Sequence, residues 1–217
     1  MANDIVAIDA AKPAPELLER AARLIAGGKV IVCPTDTGYA LSANALDVVA
    51  VTRVFNLKGR VYSNPIHVAV NSMEMAEKYA VINRAARELA RRFLPGALTL
   101  VLPRREIVPA LLVAGRDTIG IRIPDNKVIL TLAALAGVPL TATSANVSGQ
   151  PAPYSVVEII EQLGELAGEV ALFLDQGQLP TPELSTVIDL TVDPPRLLRP
   201  GKISWTEIER VLQSSPD

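Results

Sequence analysis

KVILTLAALAGVPLTATSANVSG, residues 127–149, carries the reading of the fold. Residues 127–136 are apolar and read as a helix, stopped by Gly137. Residues 139–143 then read as a short buried strand. Thr141, Thr143, Ser144, Asn146 and Ser148 form a run of small polar side chains closed by Gly149. A helix that feeds a buried strand ending in hydroxyls is an α/β pattern, and ligands in such folds collect at strand ends. The same residues also suit a solvated loop rich in turn formers, and this stretch alone does not choose between the two.

Outward from it, the pattern repeats without becoming strict βαβ units. Helices are expected over 13–28, 45–56 with Asn44 as N-cap, 72–79, 83–93, 156–163 and 204–212, with a short one over 107–113. Ser204 and Glu207 have the spacing of a capping box. Strands are expected over 29–33, 66–70, 98–102, 118–123, 171–174 and 186–190. In PTDTGY, residues 34–39, Pro34 and Gly38 read as breakers of regular structure. The last residues, 213–217, are expected to fray. The sum is an α/β fold: a single domain with one twisted mixed β-sheet and helices packed against it.

The chain has 217 residues, 49% of them apolar and 20% charged, which excludes a disordered chain. Aromatic residues are 4%, too few for a platform that stacks single-stranded bases. The net charge of -2 is unlike a protein that tracks many phosphates. Cys33 is the only cysteine, so no disulfide or thiolate metal cluster can form within the chain, and it reads as a buried small hydrophobe. No apolar run reaches the roughly 20 residues of a membrane span, and residues 1–10 do not read as a signal peptide. A soluble, cytoplasmic protein without membrane contact is expected.

The dinucleotide fingerprint and the P-loop pattern are both missing. His67 is the only histidine, and it falls in an expected apolar strand where nothing positions it for a Ser-His-Asp triad. What remains is a set of cations and hydroxyls. Lys58 and Arg60 are two apart, so in an extended segment both point to one side and suit a polyanion; a solvated helix end explains them equally. Arg122 lies between Ile121 and Ile123 in a strand that reads as buried, so it must meet an anion, either a carboxylate of the protein or one of a ligand. Arg199 is expected in a loop before Pro200-Gly201. Arg84, Arg87, Arg91 and Arg92 fall largely on a solvated helix face.

Taken in order, seven segments resemble the YrdC/TsaC-type threonylcarbamoyl-adenylate synthases: PTDTGYAL (34–41), LKGRVYSNPI (57–66), LPGALTLVL (94–102), IGIRIPDN (119–126), TATSANVSG (141–149), LSTVIDL (184–190) and LLRPGKIS (197–204). The resemblance implies a YrdC-like fold over 1–217 with its core at about 15–212, in the family's single-domain form. It also implies the reaction of ATP, L-threonine and bicarbonate to threonylcarbamoyl-AMP, pyrophosphate and water, with Mg²⁺ carried in on ATP. The product would pass to threonylcarbamoyl-transferase proteins that modify adenosine 37 of tRNA. Carried over by residue, Lys58 and Arg60 would act in catalysis and, with Asn64, hold the ATP phosphates. Thr118, Ser144, Asn146, Ser148 and Arg199 would complete the nucleotide site. Thr35, Thr37, His67, Arg122, Thr143 and Ser185 would form the threonine site, with Arg122 on its carboxylate.

Three departures stand out. The family's PTDTVYGL is PTDTGYAL here, so Gly38 and Ala40 exchange bulk and glycine. The family commonly has a histidine at the place of Ala69, while His67 lies two residues earlier on the same face of the expected strand. Residues 176–183 depart from an acid-glycine-glycine pattern, with Gln176 before Gly177. Two other readings are therefore carried: a double-stranded RNA or tRNA-binding module without synthase activity, and a carbamoyl-transfer paralogue with another substrate.

Overall fold

The computed structural model describes residues 3–179 and 184–213. In chain order its first half contains β1 (Ile5–Ala7), α1 (Pro15–Ala26), β2 (Ile31–Thr35), β3 (Gly38–Ser42), α2 (Val48–Lys58), β4 (Val68–Ala69), α3 (Met73–Ala76), α4 (Arg84–Phe93) and β5 (Leu98–Pro103). The second half contains β6 (Thr118–Arg122), α5 (Lys127–Ala136), β7 (Leu140–Thr141), β8 (Thr143–Ser144), α6 (Val156–Leu163), β9 (Leu172–Asp175), β10 (Thr186–Asp189), β11 (Arg196–Arg199) and α7 (Trp205–Gln213). The expected mixed α/β fold is present, with its sheet divided in two. One sheet runs β1-β9-β2-β3-β8 and the other β11-β10-β5-β6-β4-β7. Both contain parallel and antiparallel pairs.

The opening stretch is where the sheets meet. Thr143 and Ser144 pair with Leu41 and Ala40 of β3, while Leu140 and Thr141 pair with Ala69 and Val68 of β4. Thr141 closes the seam: its Oγ1 donates to Leu41 O at 2.9 Å and accepts from Ala43 N at 3.0 Å. Thr141 is thus a buried structural hydroxyl, and the residues just after it stand at the junction of two sheets.

Local sequence explains most helix limits. α5 starts at Asn126, whose side chain accepts from Val128 N, and stops at Gly137 with φ 67°. α1 has Pro15 in its first turn and buries Leu18, Ala21, Ala22 and Ile25 on one face. The expected capping box before α7 is formed: Ser204 N donates to Glu207 Oε2 at 3.0 Å, and Glu207 N to Ser204 Oγ at 3.3 Å. α1 packs on α5, α4 packs on α7, and one contiguous apolar core reaches from Ile8 to Ile208.

Several expected elements differ. α2 is capped by Asp47, which accepts from Val49 N and Ala50 N, because Asn44 is taken into a bridge with Leu140. Residues 107–113 form turns instead of a helix; Pro109 lies in their middle, and Leu112 O is used by Ile66 N. α3 is shorter than 72–79 because Ala80 bridges to Arg104 beside β5. Arg199 belongs to edge strand β11, paired with Val187, instead of a loop. PTDTGY is a β2–β3 hairpin in which Thr35 pairs with Gly38 across Asp36-Thr37. Pro34 is tolerated there because β9 pairs only with Ile31 and Val32, so the missing amide is not needed on that side. Residues 180–183 of the departing 176–183 segment, and 214–217 of the tail expected to fray, lie outside the described residues.

Candidate active site

A cavity of about 170 Å³ opens where the two sheets meet. The β2–β3 hairpin contributes Thr35, Thr37, Gly38, Tyr39 and Ala40, and the approach to β4 contributes Pro65, Ile66 and His67. Arg122 reaches it from the end of β6, Thr143 and Ser144 from β8, Ser185 from just before β10, and Arg199 from the end of β11. Arg60 closes the wall from the turn after α2. Three guanidiniums thus face small hydroxyls and one imidazole.

Arg122 is the most constrained of the three. Its Nε donates to Gly96 O at 2.9 Å and its Nη1 to Thr37 Oγ1 at 2.6 Å. Its Nη2 lies 2.7 Å from Asp36 Oδ1 as an ion pair. Burial lowers the pKa of this guanidinium and the Asp36 carboxylate opposes that effect; an arginine nonetheless keeps its proton. The anion required of a buried Arg122 is therefore Asp36, and Nη2, which has two protons, keeps donor capacity toward a further oxygen. The turn itself is held by Thr35, whose Oγ1 donates to Gly38 O at 2.7 Å and accepts from Thr37 N at 3.1 Å.

Across the cavity, Arg199 donates from Nη2 to Ser185 O and Oγ at 2.8 Å each, and from Nε to Ser185 O at 3.1 Å. Ser185 Oγ also lies 3.1 Å from Thr99 Oγ1. Burial, and then the charge of Arg122, lower the pKa of Arg199. Arg60 donates from Nε to Asn64 O at 3.1 Å and from Nη2 to Pro65 O at 2.7 Å.

His67 stands between this cavity and a second one of about 220 Å³ lined by Val101, Val113, Arg116, Thr118 and Leu198. The ring fits because residue 120 is glycine: a Cβ there would lie 2.5 Å from His67 Cδ2. His67 therefore reaches the cavity, whereas Ala69 is fully buried in β4. Burial, followed by the charges of Arg199, Arg60 and Arg122, pushes the imidazole down to about 4. It is neutral at pH 7. The unfolded chain, with its histidine near 6.5, binds the extra proton between pH 6.5 and 4, so stability on this group's account falls as pH drops through that window. As the chain has one histidine, its imidazole proton resonances should titrate as a single curve with a midpoint near 4. A midpoint at the free-histidine value would remove the ring from this wall.

The other expected site residues are placed elsewhere. Lys58 does not follow an extended segment with Arg60: it ends α2, and Gly59 turns the chain away at φ 56°. Lys58 is 2% exposed, and its Nζ donates to Ser144 O, Asn146 O and Asn146 Oδ1 at 2.6, 2.9 and 2.7 Å. Burial and then the charge of Arg60 pull it down to about 7, while the three acceptors favour the ammonium. Asn146 is buried against Lys58, and Ser148 N donates to Lys58 O at 2.8 Å. Asn64 is exposed beside Arg60, outside the cavity lining. Thr118 belongs to the second cavity. Residues not anticipated are Asp36, Thr99 and Tyr39. Tyr39 OH donates to Gly177 O at 2.8 Å and accepts from Gln176 N at 2.9 Å, tying β3 to the turn after β9. Asp36 was legible only as the residue between two threonines, and Thr99 as the lone hydroxyl in an apolar strand.

Among known proteins, the Sua5/YciO/YrdC family model, described as telomere recombination, matches residues 23–201. The threonylcarbamoyl-AMP synthase of Pyrococcus abyssi is 44% identical over 193 residues, covering 88% of this chain and 56% of the relative. A putative threonylcarbamoyl-AMP synthase of Methanocaldococcus jannaschii is 37% identical over 195 residues, covering 90% of each chain. The crystal structure of P. abyssi Sua5 complexed with L-threonine superposes with a TM-score of 0.90 at 41% identity, covering 96% of this chain and 60% of that one. The chain therefore spans a little over half the length of the Pyrococcus relative.

Proposed function

Given that the chain belongs to the Sua5/YciO/YrdC family, we propose that it makes threonylcarbamoyl-AMP and pyrophosphate from ATP, L-threonine and bicarbonate. The observation that carries this is Arg122: a buried guanidinium lining the cavity, whose Nη2 is paired with Asp36 and keeps a second proton for a further oxygen, in a wall rich in hydroxyls. The threonine carboxylate takes that nitrogen, beside Thr37 and the turn of the hairpin. The amine condenses with bicarbonate to a carbamate and water. A carbamate oxygen then attacks the α-phosphorus, the bond to the β-phosphate oxygen breaks, and pyrophosphate leaves. Arg60 and Arg199 offset the charge that two anions bring together, and neutral His67 adds no positive charge of its own.

Mg²⁺ arrives on the ATP phosphates. The guanidiniums and hydroxyls of the wall suit anions, and the Asp36 carboxylate beside them is engaged by Arg122. Mg²⁺ supplies charge neutralisation to the phosphates when bound. The product is a mixed anhydride, passed on to transferase proteins that modify tRNA. Direct RNA binding is not favoured by the arginines of α4: Arg87 pairs with Glu77 at 2.6 Å and Arg91 with Glu88 at 3.2 Å.

A second substrate choice has one observation behind it, since the two departures in the hairpin, Gly38 and Ala40, both line the cavity. The test is pyrophosphate release by the purified chain with ATP, bicarbonate and a panel of amino acids. Release should require all three reactants and be fastest with L-threonine. ATP binding without any threonine-dependent release would overturn the proposal, and a faster rate with another amino acid would assign the paralogue reading.

A further inference from the structure

We infer that Lys58 is a positioning residue, which fixes the polarity of Ser144 through Asn146 and touches no ligand itself. The inference rests on the cavity being the ATP and threonine site, and concerns how its hydroxyl wall is aimed.

The argument follows the protons. An ammonium has three N–H donors and accepts nothing. All three are accounted for by Ser144 O, Asn146 O and Asn146 Oδ1. In its ammonium form Lys58 can only donate, so the atom of the Asn146 amide that faces it is the oxygen. This settles an orientation that heavy-atom positions alone leave open. The other end of the amide agrees, since Asn146 Nδ2 donates to Gln150 O at 2.6 Å. Ser144 Oγ lies 2.6 Å from that same Asn146 Oδ1. Two oxygens in contact need one proton between them, and only the serine has one. Ser144 therefore gives its proton to Asn146 and turns its lone pairs elsewhere. Ser144 lines the cavity while Lys58 and Asn146 do not.

The wall at Ser144 is thus a hydrogen-bond acceptor. It suits an N–H group of the bound ligand, such as the amine of an amino acid or the exocyclic amine of a base, and does not suit a phosphate oxygen. The loop is pinned from behind as well, by Ser148 N donating to Lys58 O at 2.8 Å. The segment that shapes the cavity is held at both ends by one residue at the C-terminus of α2.

Three variants of the full chain test this: Lys58→Met, Ser144→Ala and the double variant. Affinities for a non-hydrolysable ATP analogue and for L-threonine are read by calorimetry, and loop order by hydrogen exchange at the Ser148 amide. Lys58→Met should speed Ser148 exchange and weaken one of the two ligands by roughly tenfold, the scale of one hydrogen bond made on a charged group's account. Ser144→Ala should weaken the same ligand. The double variant should be no weaker than the worse single one, because Lys58 acts through Ser144. Additive losses would mean that Lys58 meets the ligand directly and would overturn the inference, as would unchanged affinities for both ligands in Lys58→Met. If Lys58→Met fails to fold, the unaltered protein decides. Its Lys58 ammonium ¹⁵N resonance should hold its position on addition of the ATP analogue, and a large shift there would overturn the inference. An unaltered protein that binds neither ligand would defeat the functional reading, while Ser148 exchange would still decide whether Lys58 orders the loop.

Discussion

Arg122→Ala is expected to abolish measurable threonine binding and to reduce threonine-dependent pyrophosphate release by about 100-fold or more, the scale of removing one partner of a buried, hydrogen-bonded charge pair. The side chain joins three separate pieces of chain: Gly96, Thr37 and Asp36. Its loss frees the β2–β3 hairpin and leaves Asp36, beside the cavity wall, as an uncompensated anion. A threonine carboxylate would then meet repulsion where it had met attraction. Stability should fall too, by about 3 kcal/mol at the low end of what a broken buried pair costs, because the Asp36 side chain is 17% exposed and can rehydrate. The two effects can be separated. Adding Asp36→Ala should recover much of the stability and none of the threonine affinity. Calorimetric titration with threonine and chemical denaturation check both, and unchanged threonine affinity in Arg122→Ala would remove this residue from the site.

Gly201→Ala is expected to produce the largest loss of stability, about 3 kcal/mol or more, at or beyond the upper end of ordinary overpacking. An added Cβ would stand 2.5 Å from Ser185 C and from Thr186 N, and closer still to Leu184 O. These are backbone atoms at the entrance to β10, so no side-chain rotation relieves the clash. The strand or the 200–203 turn must shift. Either movement pulls Ser185 away from the Arg199 guanidinium and Thr186 away from Ile203, whose carbonyl accepts from Thr186 Oγ1 at 2.6 Å. Denaturant unfolding should show the loss, with weaker ATP binding alongside it. The comparison is Gly120, where the close atoms belong to the His67 ring and a rotation can make room. Native stability in Gly201→Ala would show that this turn has slack.

The misread elements share a cause. Pro34 and Gly38 look like breakers one residue at a time, yet they sit in a hairpin where each is tolerated by its partner strand. Asn44 and Asp47 are both good caps by type. Asp47 caps α2 because Asn44 is bridged to Leu140, far away in sequence. By contrast, the Ser204–Glu207 box and the Asn126-to-Gly137 limits of α5 close within a few residues and were legible at once.

The site divides along the same line. Its chemical inventory, cations and small hydroxyls at the ends of apolar segments, was readable from residue type, and so was the demand that Arg122 meet an anion. Which anion was not readable, because Asp36 is brought to Arg122 by packing two sheets together. Nor was the use of Lys58, whose three acceptors lie 86 to 88 residues further along the chain. In KVILTLAALAGVPLTATSANVSG, local hydrogen bonds and apolar spacing determined a helix, a turn and a buried strand. That Thr141 would seal the seam between sheets while Ser144, three residues on, faced the cavity was decided by register with β3 and β4. Side-chain type sets what a group can bond, and only the long-range pairing of strands sets whether protein or ligand supplies the partner.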